Sequence, residues 1–175
     1  MKFFTGIILV LLALGAKSQT IFIGDKTYSS SDEIFLDDFN NTSSVFKTGA
    51  SITFVKKLDG SGFLIFKFSG GIPNEAVKGV VTFYLDNDSL LKFIDRKKYD
   101  CANEECSTIY YLTASEIKKL KTTNIQAIRF STSAGDLILN FENHIFYNKE
   151  KENKINQGKI CPRIDFSKIV SSLFG

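Results

Sequence analysis

The sequence has no tryptophan, one histidine, two prolines and three cysteines among its 175 residues. Scarce proline, together with 43% apolar residues and 17 phenylalanines, argues against disorder and predicts a packed core. The single histidine, His144, leaves one imidazole base for catalysis, and no G-x-S-x-G sequence presents a serine nucleophile. Without tryptophan, a carbohydrate-binding surface would have to use tyrosines, of which Tyr84, Tyr110 and Tyr111 are the candidates.

Long apolar runs are also lacking, apart from an uncharged stretch over residues 3–16 that follows Lys2. This stretch falls short of the roughly 20 residues that a membrane span needs. Ala16 and Ser18 place small residues at the two positions that a signal peptidase reads. The sequence therefore predicts a signal peptide over residues 1–18. Residues 19–175 are predicted to form a single exported domain, secreted or periplasmic, without a membrane anchor.

Neither sign of charge dominates the chain. The formal net charge is +3, but it includes Lys2 and Lys17, which belong to the predicted signal peptide. The predicted mature chain therefore carries one more basic than acidic residue. This near balance argues against a nucleic-acid partner or an anionic membrane surface as the main target.

The three cysteines are Cys101, Cys106 and Cys161. In an oxidising compartment they predict one disulfide and one spare thiol. The bond joins Cys101 to Cys106 within a polar loop, or either of them to Cys161; the spacing does not decide between these pairings. A zinc site made of the three cysteines and His144 is not predicted, because the C-x₄-C spacing lacks a second paired knuckle. No metal and no cofactor is expected.

Runs of β-branched and aromatic residues follow one another from residue 52 to residue 147, which we predict to be a strand-rich core. Turn residues at 59–62 and 87–89 join pairs of these runs and predict two hairpins. A charged linker without periodicity follows over 148–159. The predicted strands of the core are 52–58, 63–69, 77–86, 90–95, 108–112, 125–131 and 137–147.

Two short helices are predicted. Thr113 and Glu116 have the spacing of a capping box, which starts a helix over 114–121. In the C-terminal segment, 160–175, Asp165 is a candidate N-cap. Helices of about ten residues are unstable alone. We therefore expect the first helix to lie on the sheet, and the second to dock on the sheet of the same molecule or on a partner. The apolar stripe of the C-terminal helix consists of Ile169, Val170, Leu173 and Phe174.

The order of these elements predicts an α+β domain. It would consist mainly of an antiparallel sheet, with one short helix packed on it and a C-terminal helix. A β-sandwich with minor helices is the alternative.

The stretch over 77–130 resembles a known group of sequences. The stretch contains Gly79-Val80-Val81 followed by Tyr84-Leu85. Tyr111-Leu112-Thr113 then precedes a short lysine-rich helix, and the sequence IQAIRF follows at 125–130. In these features the chain is similar to small exported proteins of unknown function from the Bacteroidota. The resemblance implies export and brings no activity with it.

Several groups of residues are candidates for chemistry. Carboxylate pairs occur at Asp37-Asp38, Asp86/Asp88 and Glu104-Glu105, but adjacency in sequence does not give the separation that a glycosidase needs. The basic groups 96–98 and 118–121 are candidates for contact with an anionic glycan or partner.

These observations predict a small exported binding or structural module with a protein or glycan partner and no catalytic residues. The alternatives are a secreted hydrolase that uses His144 or a carboxylate pair, and a periplasmic inhibitor or immunity-type protein.

Overall fold

The structure is a computed structural model that describes residues 19–36, 49–69, 74–102, 105–132, 135–140 and 164–175. These residues form strands that pair antiparallel throughout, and two helices. The strands are β1 (Gln19–Ile23), β2 (Lys26–Ser30), β3 (Ile34–Phe35), β4 (Gly49–Lys56), β5 (Gly62–Ser69), β6 (Lys78–Leu85), β7 (Leu90–Ile94), β8 (Tyr99–Ala102), β9 (Glu105–Leu112), β10 (Ile125–Thr132) and β11 (Gly135–Asn140). The helices are α1 (Ala114–Thr122) and α2 (Phe166–Phe174).

The strands form two sheets that share one core. The larger sheet has the order β1-β2-β4-β5-β9-β8, with β3 beside β4, and the smaller sheet has the order β11-β10-β6-β7. Aromatic rings join the two sheets: the centroids of Phe66 on β5 and Phe130 on β10 are 4.7 Å apart. Both rings are almost fully buried, so the contact lies in the middle of the core.

Both predicted hairpins are confirmed. β4 pairs with β5 from Gly49↔Ser69 to Lys56↔Gly62, and β6 pairs with β7 from Val80↔Ile94 to Tyr84↔Leu90. The two hairpins lie in different sheets, however, because β5 takes β9 as its second partner while β6 takes β10.

The prediction of an α+β domain is wrong. The described chain is mostly antiparallel strand in two sheets, and its two short helices do not form a layer on a sheet. Instead α1 and α2 pack against each other, and α2 meets the larger sheet at β4. The physical reason is size: α1 buries only Ile117 and Leu120, which is too little apolar surface to cover a sheet.

The larger sheet carries apolar residues on both of its faces. Val55, Phe63 and Ile65 lie on the face away from the main core and are nevertheless buried. Ile21, Ile23 and Tyr28 of the β1–β2 hairpin, with Ile109, pack against them. Apolar residues on both faces explain why β5 is continuously apolar over residues 63–66 instead of alternating.

The predicted start of α1 is confirmed. The Thr113 hydroxyl accepts a hydrogen bond from the Glu116 N–H at 3.3 Å, and the Glu116 carboxylate accepts one from the Thr113 N–H at 2.7 Å. Two backbone groups that the helix itself cannot satisfy are thereby paired.

Replacing Thr113 by alanine should therefore lower the free energy of unfolding by about 1 kcal/mol. The measurement is chemical denaturation, with Ser115→Ala in the same helical turn as the control, because Ser115 is exposed. A Thr113→Ala variant with the midpoint of the parent protein would contradict the role of the cap.

Docking of the C-terminal helix is confirmed as well. Asp165 caps α2 by accepting from the Lys168 N–H at 2.9 Å, and Phe166, Val170 and Phe174 are buried in the main core. Asn124, just before β10, holds the start of the helix. Its side-chain oxygen accepts from the Phe166 N–H at 2.9 Å and its amide donates to the Ile164 carbonyl at 3.0 Å.

Candidate functional site

A groove opens where β2 separates from β4. Only Ser29 and Ser30 of β2 pair with β4, at Lys56 and Val55. Toward its start, β2 continues beyond the end of β4 with β1 as its partner. Helix α2 lies across from this part of β2, so strand and helix form the two walls of the groove.

The groove has a volume of about 900 Å³. This lies at the upper end of the roughly 300–1,000 Å³ that is usual for small-molecule sites. Its lining is mainly apolar. The apolar lining residues are aliphatic and come from three segments of the chain: Ile34, Leu58, Ile169 and Leu173.

Four lysines and one carboxylate, Asp32, also line the groove. Lys57 is engaged: its ammonium is 3.0 Å from the Asp59 carboxylate and 3.0 Å from the Ser61 hydroxyl. Hydrogen bonds from Ser61, followed by that from Lys57, lower the pKa of Asp59 to about 2, so this partner stays charged at neutral pH.

The other three lysines have no such partner. Within the described residues, no carboxylate is within ion-pair distance of Lys26, Lys56 or Lys168. They come from β2, β4 and α2 respectively, so the fold brings together cations that are far apart in sequence. A cleft lined by one sign of charge concentrates ions of the opposite sign.

Hydrogen-bonding groups complete the lining. Three exposed residues with hydroxyl groups line the groove: Thr27, Ser29 and Ser172. The Ser31 N–H donates to the Phe54 carbonyl of β4 at 2.9 Å. This bond continues the pairing of β2 with β4 by one residue beyond Ser30.

None of the described residues that the sequence marked as candidates for chemistry lines the groove. His144, Asp37, Asp38, Glu104 and Cys161 are outside the described residues, as is the predicted linker over 148–159. Glu105 is described; its carboxylate is 3.4 Å from Lys67, an ion pair on the larger sheet and not part of the groove.

Asp86 and Asp88 belong to the turn between β6 and β7. The Asp88 N–H donates to the Leu85 carbonyl at 3.0 Å, and Asn87 accepts from the Ser89 N–H at 3.2 Å. These bonds are those of a tight turn, and Asp88 has the positive φ of 61° that such a turn requires. Among the described residues, no group of three or more His, Cys, Asp or Glu side chains could hold a metal ion.

The three candidate tyrosines do not form a sugar-binding surface. Tyr110 is fully buried, and burial raises the pKa of its hydroxyl. Tyr84 is half-buried and Tyr111 is exposed, but the Tyr111 ring meets the Phe63 ring edge-on at 5.2 Å, with an interplanar angle of 70°. A sugar stacks on a flat, open ring face, and the edge-on packing of Tyr111 and Phe63 does not form a flat surface of this kind.

The predicted basic groups are exposed but separate from the groove. Arg96 lies over the Tyr111 ring at 5.8 Å, while Lys118 and Lys119 are on the surface of α1. Neither group lines the groove. The sequence singled them out because their charges are consecutive, whereas Lys26, Lys56 and Lys168 gave no local signal.

Of the disulfide pairings that the sequence left open, the structure contains Cys101–Cys106. The bond links β8 to β9, where the two residues are directly opposite each other. A disulfide is compatible with an oxidising compartment.

No known protein family, no curated protein and no solved structure matches this chain. A search of the described helices for one long and apolar enough to cross a membrane gave none. The groove is therefore interpreted from its own residues.

Proposed function

We propose that this protein is an exported binding module that takes an anionic ligand into the groove between β2 and α2. The observation that carries the proposal is the placement of Lys26, Lys56 and Lys168, none paired with a described carboxylate, around one concave and mainly apolar surface. The cations and hydroxyl groups of the lining can bind an anionic group, and the aliphatic side chains can contact an apolar part of the same ligand.

Export belongs to the same proposal. The predicted signal peptide over 1–18, the resemblance to exported Bacteroidota proteins and the Cys101–Cys106 disulfide support a secreted or periplasmic location. As proposed, the chain is released after cleavage before Gln19 and acts without a membrane anchor. Its ligand is an anionic small molecule, or the anionic group of a glycan or protein partner, and not a nucleic acid.

The test uses 8-anilinonaphthalene-1-sulfonate, a fluorescent anion with an apolar body. We expect saturable binding of one molecule of this probe per chain. The triple variant Lys26→Gln/Lys56→Gln/Lys168→Gln should bind it at least tenfold more weakly, because charge-assisted hydrogen bonds to the sulfonate are lost. Binding is measured by fluorescence titration at low salt.

A matched control removes the same amount of charge from another part of the surface. Lys92, Lys97 and Lys98 are exposed and do not line the groove, so Lys92→Gln/Lys97→Gln/Lys98→Gln should bind the probe like the parent protein. Equal weakening in both triple variants would mean that only net charge matters. That result, or the absence of saturable binding, would disprove the proposed function.

A further inference from the structure

We infer that the ligand of this groove is a single anionic aliphatic amphiphile: an unbranched alkyl chain that ends in a carboxylate, phosphate or sulfate. The inference rests on the proposed function and deepens it by naming the ligand class. It requires a surface for the chain, a set of partners for the headgroup, and a groove that holds one molecule.

The surface that would contact the alkyl chain of the ligand is aliphatic. Ile169 and Leu173 of α2 are half-buried: they pack against the main core with one side and line the groove with the other. Ile34 is buried and Leu58 is fully exposed at the rim of the groove. Side chains of this kind match a flexible alkyl chain, which needs apolar contact area but no particular stacking geometry.

The groove does not offer a platform for a flat ring. Tyr28 is the one aromatic residue in its lining, and its ring is already engaged on the outer face of the larger sheet. There it meets the Phe63 ring edge-on at 5.5 Å, with an interplanar angle of 87°. A sugar or a nucleobase would be recognised by stacking on an open ring face, so the lining favours an alkyl chain over both.

The headgroup partners are Lys26, Lys56 and Lys168. Their ammonium groups supply hydrogen-bond donors and positive charge to a bound headgroup. Asp32 is the one carboxylate among the lining residues, so cations outnumber it and an anion is favoured over a cation or a zwitterion. A carboxylate, a phosphate and a sulfate share the chemistry that these groups recognise.

The size of the groove favours one monomeric ligand over a membrane surface. A groove of about 900 Å³ is concave and has room for one small molecule, whereas a protein that lies on a bilayer presents a flat or convex apolar face. The occupant is therefore one amphiphile taken out of solution.

The experiment is displacement of the bound anilinonaphthalenesulfonate by alkyl carboxylates of increasing length, from hexanoate to dodecanoate, all below their micelle concentrations. Each added methylene should tighten binding by about fourfold until the groove is filled. Dodecyl phosphate should compete like dodecanoate. Dodecyl maltoside and dodecyltrimethylammonium, which keep the chain but change the headgroup, should compete at least tenfold more weakly.

The other outcomes overturn the inference in separate ways. Displacement by an oligogalacturonate but not by dodecanoate would show that the groove binds acidic glycans, so the proposed function would stand and the ligand class would be wrong. Displacement without dependence on chain length would exclude an alkyl site. Binding only to phosphatidylglycerol vesicles or only above the micelle concentration would identify a membrane surface as the target. If the probe itself does not bind in a lysine-dependent way, both proposals fail together.

Discussion

Replacing Phe166 by alanine is expected to lower the free energy of unfolding by about 3–5 kcal/mol, the range usual for loss of a fully buried phenylalanine. Phe166 is 0% exposed and belongs to the core that both sheets share. It is also the first residue of α2, where its N–H donates to Asn124. Loss of its ring therefore leaves a cavity at the place where α2 is attached. Chemical denaturation followed by circular dichroism measures the effect.

Leu58→Ala is the matched control, because it removes an apolar side chain that is fully exposed. Its free energy of unfolding should stay within about 0.5 kcal/mol of the parent value. If the Phe166→Ala variant unfolded at the same denaturant concentration as the Leu58→Ala variant, α2 would not contribute to the stability of the domain.

The second large effect is expected from Gly62→Ala at the start of β5. A methyl group at this position would overlap the carbonyl oxygen of Val55 and lie 2.9 Å from the Phe174 ring. The Phe174 side chain can shift, but the Val55 carbonyl belongs to the paired strand β4 and cannot move without disturbing the sheet. We expect a loss of about 3 kcal/mol in stability, the upper end of the range for overpacked cores.

Gly49→Ala provides the control in the same hairpin. Gly49 lies at the start of β4, and a methyl group there would have no heavy atom of the described residues within 4 Å. This variant should unfold near the parent midpoint, whereas Gly62→Ala should unfold much earlier in the denaturation curve. Equal midpoints for the two variants would mean that β4 and β5 accommodate a methyl group at position 62 without loss of stability.

Local features of this fold could be predicted because each depends on residues that are neighbours in sequence. The turn at 59–62 predicted the β4–β5 hairpin, and Thr113 with Glu116 predicted the start of α1. The strand boundary was less accurate: β4 begins at Gly49, not at residue 52, because small residues at its start do not continue the apolar pattern.

The assignment of strands to sheets could not be predicted, which is why the fold class was wrong. An alternation of apolar and polar residues indicates a strand but not its neighbour. β5 pairs with β9, more than thirty residues away, through partners such as Phe63↔Tyr111. Nothing local in either strand specifies this partner.

The candidate site was missed for a related reason. Lys26, Lys56 and Lys168 are far apart in the sequence, and the β1–β2 hairpin that forms one wall precedes the predicted core. β2 itself is rich in hydroxyl residues and lacks an apolar alternation. Only the folded chain shows that this polar strand faces α2.

The sparse pairing between β2 and β4 has a consequence for how the molecule opens. β4 is held to β5 by eight residue pairs but to β2 by two, at Ser29 and Ser30. We therefore expect the β1–β2 hairpin to unfold locally at a lower cost than the two-sheet core. Amide hydrogens of β1 and β2 should exchange with solvent through this opening, whereas those of β4 and β5 should exchange only when the whole domain unfolds. Since the hairpin is one wall of the groove, occupancy of the groove and closure of the hairpin are thermodynamically linked: whatever fills the groove also slows exchange in β1 and β2.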